Sequence, residues 1–253
     1  MSVEKEGFMN RILIFLYSLV SYGIFFASFL YAIGFTGNVW VSKSIDTLTS
    51  SDVTQAIITD LVLLSLFALQ HSVMARPAFK KWWTQFIPQP IERSTYVLFS
   101  SLLLFLLYSQ WQSIPEVVWQ VNHPIGTLLL TGLFGFGWMT VLVSTFMIDH
   151  FELFGLRQGF QFFLNQPEPQ TSFKTPGLYK WVRHPIMLGF IIGFWATPVM
   201  TWGHFLFAAV TTAYILVAIQ LEERDLMSTF GSTYEHYKKQ TGMLLPPLNS
   251  LQP

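Results

Sequence analysis

The chain has 253 residues, of which 52% are hydrophobic and 17% aromatic, whereas Asp, Glu, Lys and Arg together make up 11%. Soluble domains carry about 25% of these charged residues, so the composition excludes an ordinary soluble fold. The 14 cationic residues balance the 14 anionic residues, so no net positive charge favours nucleic acid as a partner. The absence of cysteine excludes disulfide scaffolds, thiolate metal sites and cysteine nucleophiles.

Stretches with at most one charged residue predict the membrane-spanning segments, because a spanning helix needs about 20 apolar residues. The final stretch runs for 38 residues from His184 to Leu221, and Pro198 and Gly203 near its middle indicate a turn. The sequence therefore predicts an all-α polytopic membrane bundle with five long helical regions, the last a helical hairpin, and a cytoplasmic C-terminal helix. The predicted transmembrane segments cover residues 12–35, 55–75, 94–111, 125–148, 186–199 and 203–221.

The positive charges predict the orientation of the chain in the membrane. Of the 14 Lys and Arg residues, only Lys43 falls on the side opposite the others. Since short cytoplasmic loops collect Lys and Arg, we expect both termini to face the cytoplasm. No internal repeat or flexible linker divides the chain, so we expect a single domain over residues 1–253, with a cytoplasmic cap over 222–253.

Polar clusters at the cytoplasmic ends of the predicted helices are candidate sites, because polar groups in or near a bilayer are costly. One cluster ends the second helix and another ends the fourth; the third is divided between the two ends of the hairpin. Antiparallel hairpin helices would place Arg183 and His184 next to Glu222 and Glu223. Such a group of cations and carboxylates can bind a zwitterion, although a structural ion pair joining the two helices is the alternative interpretation.

The hairpin residues also resemble a known family. The segments Gly177-x-Tyr179-x-x-x-Arg183-His184-Pro185-x-x-x-Gly189 and Glu222-Glu223-x-x-Leu226-x-x-x-Phe230-Gly231-x-x-Tyr234-x-x-Tyr237 are similar to the cofactor signature of the isoprenylcysteine carboxyl methyltransferase superfamily of membrane methyltransferases. The resemblance implies that S-adenosylmethionine binds between the cytoplasmic end of the hairpin and the C-terminal helix. The cofactor-binding residues that it implies are Tyr179, Arg183, His184, Pro185, Leu188, Gly189, Glu222, Glu223, Leu226 and Tyr234.

The other two clusters extend the resemblance over most of the chain. The segments from Gln70 to Pro77 and from Asp149 to Gln158 resemble those of bacterial methanethiol S-methyltransferases. This resemblance implies methylation of methanethiol to dimethyl sulfide at the cytoplasmic face of a bacterial inner membrane. It implies a small thiol and the lipid bilayer as partners, with no metal and no obligatory protein partner. Met187 and the segment from Gly242 to Pro246, which lacks an arginine, depart from the wider superfamily and argue against a prenylcysteine carboxylate substrate.

Thiol methylation requires a thiolate nucleophile, and a thiol with a pKa of about 8.5 is mostly protonated at neutral pH. We expect His150 or His71 to accept the proton, with Asp149 or Glu152 fixing the tautomer of the imidazole. Of these, the combination of His150 with Asp149 is preferred. The substrate-side residues expected from the same clusters are Gln70, Arg157 and Gln158.

Other functions remain open from the sequence. Another small thiol or a prenylcysteine carboxylate could be the methyl acceptor, and a reductase using NADPH is possible within the same superfamily. Histidines on separate helices could instead ligate haem b in an electron-transfer subunit. His71 and His150 could also be interfacial residues that bond to the backbone. Transport is disfavoured, because no charged residue is expected near the middle of the bilayer.

Overall fold

The computed structural model describes residues 2–49, 52–167 and 173–247. It is helical apart from one pair of short strands, and the predicted all-α polytopic class is confirmed. The ten helices and two strands of the described ranges are α1 (Ser2–Gly37), α2 (Val53–Ala75), α3 (Pro77–Trp83), α4 (Glu92–Gln110), β1 (Val117–Gln120), α5 (Pro124–Ile148), α6 (His150–Leu153), α7 (Leu156–Phe163), α8 (Pro185–Trp195), β2 (Val199–Thr201), α9 (Trp202–Phe230) and α10 (Ser232–Gln240). Two 3₁₀ turns, Gln89–Ile91 and Gly177–Lys180, precede α4 and α8.

Five helices in the described ranges are long and apolar enough to cross a membrane: the segments Gly7–Gly37, Val53–Ala75, Gln89–Gln110, Pro124–Ile148 and Trp202–Phe230. Large apolar side chains such as Leu69, Leu128 and Phe136 are exposed on their outer surfaces. Because water does not solvate such surfaces favourably, lipid is the environment that fits them.

The last hairpin differs from its predicted boundaries at both helices. Helix α8 has 11 residues and ends at Trp195, so at 1.5 Å per residue it extends only about 16 Å. Helix α9 continues without a break past the predicted end at residue 221, because no helix-breaking residue follows until Gly231, whose φ of 51° ends the helix. Glu222 and Glu223 therefore belong to the last turns of α9. The last part of the predicted cap over 222–253, residues 248–253, lies outside the described residues.

The short antiparallel sheet joins the helices at the end of the bundle where α4 ends and α9 begins. Val117 pairs with Thr201 and Trp119 with Met200, and the backbone N–H of Trp202 donates to the carbonyl of Glu116 at 2.9 Å. The sheet thus connects the α4–α5 loop to the α8–α9 turn. The sequence did not predict these strands, since segments of four and three residues carry no usable alternation of apolar and polar positions.

Helix α8 packs closely on α5 through glycines. A Cβ atom added to Gly189 would lie 2.7 Å from the carbonyl oxygen of Gly137 and 2.8 Å from Cγ2 of Val141. A Cβ atom on Gly137 would lie 2.6 Å from the backbone nitrogen of Gly193. Small residues allow membrane helices to approach closely. This contact fixes α8, and therefore the residues that precede it, against the long helix α5.

Replacing Gly189 with alanine should destabilise the protein, because the new methyl group meets the backbone of α5, which cannot move at low energetic cost. The expected loss is about 1–3 kcal/mol of unfolding free energy. Thermal denaturation in detergent micelles measures it. Gly135→Ala on α5 is the matched control, since a Cβ atom there meets nothing within 4 Å. Equal melting temperatures for the two variants would contradict the close approach of α5 and α8.

Candidate functional site

The segment that leads into α8 is paired with the segment that follows α10. The backbone N–H groups of Arg183 and His184 donate to the carbonyls of Gly242 and Met243 at 2.8 and 3.2 Å. Pro185 then starts α8 at a position where its missing N–H group has no cost. The C-terminal part of the chain is thereby folded back onto the beginning of the hairpin.

Arg183 and Glu223 form a buried ion pair across the hairpin. Arg183 Nε lies 2.7 Å from Glu223 Oε1, and the two side chains are 9% and 4% exposed. The guanidinium also donates to the carbonyls of Lys238 and Thr241, while Lys238 Nζ lies 2.6 Å from the other Glu223 oxygen. Helices α8, α9 and α10 therefore meet at this pair, which we call the clamp.

The clamp engages the guanidinium of Arg183. Its predicted position beside Glu223 is observed, and Nε and Nη1 of the guanidinium bond to protein groups in a nearly solvent-inaccessible position. A guanidinium that binds a carboxylate bidentately needs its fork-shaped edge free. In the described structure Arg183 thus joins the three helices, and its expected binding to a ligand carboxylate stays a prediction.

Glu222 has surroundings very different from those of the neighbouring Glu223. Its side chain is 47% exposed, and its closest ionic partner is His184 Nδ1 at 3.6 Å. The charges of His184, Arg76 and Asp225 act on it, and its own charge acts on the phenols of Tyr179 and Tyr96. Because these groups belong to several different elements, Glu222 lies where those elements approach one another at this end of the bundle.

His184 connects the two carboxylates. Its Nε2 atom lies 3.2 Å from Glu223 Oε1 and its Nδ1 atom 3.6 Å from Glu222 Oε2. The imidazole is 6% exposed. Both nitrogens thus face acidic groups. The contact of His184 with Glu223 of the clamp fixes the imidazole beside Glu222.

Three tyrosines pack behind the clamp. The Tyr179 hydroxyl donates to the carbonyl of Ser144 at 3.4 Å, and the Tyr237 hydroxyl donates to the carbonyl of Tyr179 at 2.5 Å. Burial raises the pKa of Tyr237 to about 12. Burial also raises the pKa of Tyr179, with a further contribution from the nearby Glu222 carboxylate. The Tyr234 hydroxyl is buried and has no hydrogen-bond partner among the described residues.

The remaining predicted cofactor residues differ in burial and in contacts. Gly189 contacts α5 rather than Glu222, and Pro185 is fully buried. Leu188 and Leu226 are half-buried on α8 and α9. Gly189 and Pro185 are therefore explained by helix packing, which a sequence motif alone does not distinguish from ligand binding.

His71 lies in a polar cluster between α2 and α4. The Tyr96 hydroxyl is 2.8 Å from His71 Nε2 and 3.0 Å from Nδ1, and Ser100 Oγ is 3.2 Å from Nδ1. Ser100 also donates to the side chain of Gln70 at 3.2 Å. Hydroxyl groups, rather than the expected Asp149 or Glu152, thus contact this imidazole. The sequence analysis missed Tyr96 and Ser100, although their spacing of four on α4 was a usable signal.

His150 is enclosed by aromatic rings and both its nitrogens are bonded. Nε2 lies 2.9 Å from the Tyr22 hydroxyl and Nδ1 lies 2.8 Å from Thr145 Oγ1. The Phe146 ring stacks on the imidazole with centroids 4.2 Å apart, and the residue is 3% exposed. Burial lowers the pKa of His150, while Asp149 has an opposing effect. Both nitrogens of His150 are thus engaged by hydroxyl groups of the protein.

The expected pairing of Asp149 with His150 is not formed. Asp149 follows the last residue of α5 and caps α6, where its carboxylate accepts from the backbone N–H of Glu152 at 3.0 Å. The same carboxylate forms an ion pair with Arg157, which also lies 3.5 Å from Glu152. Gln158 Nε2 donates to the carbonyl of Glu152 at 3.1 Å. These four residues stabilise the α6–α7 turn, which explains their clustering in the sequence.

The different surroundings of the two glutamates predict different effects on stability. Glu223→Gln should lower the unfolding free energy by about 3–5 kcal/mol, because it leaves the buried Arg183 without its counterion. Glu222→Gln should change it by only about 0.5 kcal/mol, since that side chain is half-exposed. Thermal denaturation of both variants in detergent tests this difference. A larger loss for Glu222→Gln would contradict the assignment of the clamp.

Comparison with known proteins gives several relatives along nearly the whole chain. It is 53% identical to a protein of Mycobacterium tuberculosis named methanethiol S-methyltransferase, over 94% of this chain and 98% of the relative. It is 56% identical to methanethiol S-methyltransferase 2 of Bradyrhizobium diazoefficiens, over 94% of this chain and 92% of that protein. A protein of Crocosphaera subtropica with the name methanethiol S-methyltransferase is 49% identical over 96% and 95% of the two chains.

The comparison with family models matches residues 117–241 to a family described as a protein of unknown function, DUF1295. This range covers β1 through α10 and includes the clamp and Glu222. No solved structure matches the chain.

Proposed function

The chain belongs to the methanethiol S-methyltransferase family, and we propose that it methylates methanethiol to dimethyl sulfide with S-adenosylmethionine as methyl donor. The near full-length match to relatives of that name carries the proposal. The exposed acidic side chain of Glu222 beside a fixed histidine supports it. The proposed site lies at the cytoplasmic face of a bacterial inner membrane, with both termini in the cytoplasm.

The charge distribution supports this orientation. In the structure, cations follow the ends of α2 and α5 and extend along α10, at the same end of the bundle as Glu222. Lys43 lies at the opposite end, where its ammonium donates to the carbonyl of Ser109 at 2.6 Å. Since positively charged loops remain in the cytoplasm, the end that contains Glu222 is the end expected to meet a soluble, charged methyl donor.

The residues around Glu222 fit S-adenosylmethionine as a ligand. Its ammonium and ribose hydroxyls are hydrogen-bond donors, and Glu222 is a half-exposed carboxylate whose nearest ionic partner, His184 Nδ1, lies 3.6 Å away. Arg76 is partly exposed and acts electrostatically on the same carboxylate, although it also pairs with Asp225 at 2.7 Å. When bound, S-adenosylmethionine supplies an electrophilic methyl group on a positively charged sulfur. We assign Glu222 to its binding and Arg183, Glu223 and His184 to holding Glu222 in place.

The work of the protein in such a reaction is mainly alignment. Holding two reactants in the correct geometry can contribute about 7–11 kcal/mol to catalysis. The protein must also remove the thiol proton, because the thiolate is the nucleophile. We assign this role to His71 rather than to His150, since His71 is only partly buried whereas His150 is 3% exposed. The contacts of His150 with Tyr22 and Thr145 argue against its use as a haem ligand.

The three residues expected on the substrate side, Gln70, Arg157 and Gln158, have different contacts in the structure. Gln70 adjoins His71 through Ser100, and we retain it at the thiol side of the site. Arg157 and Gln158 bond within the α6–α7 turn, so we propose a structural role for them. A small apolar thiol partitions toward lipid, which gives a physical reason for a site embedded in the membrane.

The direct test uses the purified protein in lipid nanodiscs with S-adenosylmethionine and methanethiol, and gas chromatography to detect dimethyl sulfide. The wild-type protein should form dimethyl sulfide. Glu222→Gln should weaken the affinity for S-adenosylmethionine, measured by calorimetry, about 10- to 100-fold, because a hydrogen bond to a charged group is lost.

Glu235→Gln is the matched control, since Glu235 is an exposed carboxylate on α10 that pairs with Lys239. It should bind S-adenosylmethionine like the wild type. Unchanged affinity in Glu222→Gln would remove the proposed binding role, and a wild-type protein that forms no dimethyl sulfide would contradict the proposed function itself.

A further inference from the structure

A polar face of α4 extends from the cytoplasmic end of the bundle into the membrane. Arg93, Tyr96 and Ser100 are spaced by three and four residues, so they lie on one face of the helix. Tyr96 and Ser100 both contact His71 of α2, and Arg93 acts electrostatically on His71 and Tyr96. The face therefore connects the water-exposed end of α4 to an imidazole within the bundle.

Apolar side chains pack against the cluster at the inner end of this face. Tyr96 and Ser100 are each 8% exposed, and Met74, Val97 and Phe25 pack around the tyrosine ring. Polar side chains at such depth are costly unless they bond to one another or serve a function. A histidine that contacts two hydroxyl groups in an apolar surrounding is suited to bind a small, weakly acidic molecule.

The hydrogen bonds determine which nitrogen of His71 accepts a proton. The Ser100 hydroxyl donates to the carbonyl of Tyr96 at 2.9 Å or to Gln70 at 3.2 Å. Its single hydrogen is thus in use, and Ser100 Oγ accepts from His71 Nδ1–H. A neutral imidazole carries one N–H group, so Nε2 has the free lone pair. That atom faces the Tyr96 hydroxyl at 2.8 Å, and Tyr96 donates to it.

We propose that Tyr96, His71 and Ser100 form the binding subsite for the thiol sulfur, with Tyr96 as a catalytic residue that passes the thiol proton to His71. This inference rests on the proposed function. The thiol S–H bond breaks as its proton moves to the Tyr96 oxygen, and the Tyr96 proton moves to His71 Nε2. The phenol then donates a hydrogen bond to the thiolate, and His71 carries the positive charge until it releases the proton to water.

The methyl-transfer step balances without a further reactant. The thiolate sulfur forms a bond to the methyl carbon as the bond from that carbon to the donor sulfur breaks, and the electron pair of the broken bond remains on the donor sulfur. The negative thiolate and the positive sulfonium become two neutral sulfides. The location of Tyr96 suits this step, because the phenol lies within electrostatic range of Glu222, to which we assign donor binding.

The aromatic surroundings fit a small apolar thiol. Phe67 stacks on His71 with ring centroids 5.1 Å apart, and Tyr214 lies edge-on to Phe67 at 6.4 Å. Tyr214 in turn accepts a hydrogen bond from Ser72 at 3.2 Å, which fixes its ring between α2 and α9. These walls offer apolar contact to an alkyl group, while the hydrogen-bonding groups are confined to the sulfur end.

The test is the pH dependence of kcat/KM for dimethyl sulfide formation by the wild type and Tyr96→Phe. Without the phenol, the thiolate loses a hydrogen-bond donor, so a larger fraction of thiol remains protonated at a given pH. Turnover at neutral pH should fall about 100-fold, the usual effect of removing one such donor. The midpoint of the pH profile should move to higher pH, so that much of the loss is recovered in alkaline buffer.

A second measurement does not require turnover. Calorimetry should follow ethanethiol binding to the protein in the presence of S-adenosylhomocysteine at several pH values. Wild-type protein should bind ethanethiol at neutral pH. Tyr96→Phe should bind more weakly at neutral pH and recover affinity as the pH rises, with unchanged affinity for S-adenosylmethionine.

Tyr17→Phe is the matched control, because the Tyr17 phenol bonds to Thr95 of the same helix α4 at 3.0 Å but lies off the polar face. It should keep the wild-type pH profile. An equal loss at every pH in Tyr96→Phe, or no loss, would overturn the assignment of Tyr96 while leaving the proposed function intact. Failure of the wild type to bind S-adenosylmethionine would instead overturn the proposed function and this inference with it.

Discussion

The buried ion pair between Arg183 and Glu223 is the interaction on which this end of the bundle depends. A buried charge pair contributes little net stability when both partners are present, but the loss of one partner is expensive. Here the guanidinium also bonds to backbone carbonyls at the end of α10, and Glu223 also binds Lys238. The main consequence is thus specificity: α8, α9 and α10 fit together in an arrangement that pairs the charges of Arg183, Glu223 and Lys238.

That arrangement gives two adjacent carboxylates separate roles. Neighbouring residues on a helix point about 100° apart, so Glu223 turns into the contact between helices while Glu222 remains half-exposed. His184 bonds to the first and faces the second. The pair of acidic residues in the sequence therefore divides into one that stabilises and one that remains available to a ligand, and the division follows from helix geometry alone.

The sequence predicted the hairpin and the meeting of Arg183 with the acidic residues, because a turn between antiparallel helices forces residues forty positions apart to approach. It did not predict that the Arg183 guanidinium would bond to carbonyls at the end of α10 as well as to Glu223. Those carbonyls are backbone atoms, which have no sequence signal. The surroundings of His150 were missed for a related reason. Tyr22 lies 128 positions earlier in the chain, and no local pattern reports a contact between distant helices.

We propose one site in two parts, with Glu222 on α9 and the Tyr96–His71 cluster between α2 and α4. A structure of the protein determined with bound S-adenosylhomocysteine tests this arrangement most directly. The ligand should contact Glu222, and its sulfur should face Tyr96. A ligand that binds elsewhere, for example in the apolar cavity of about 490 Å³ beside Glu116 and Trp202 at the opposite end of the bundle, would contradict it.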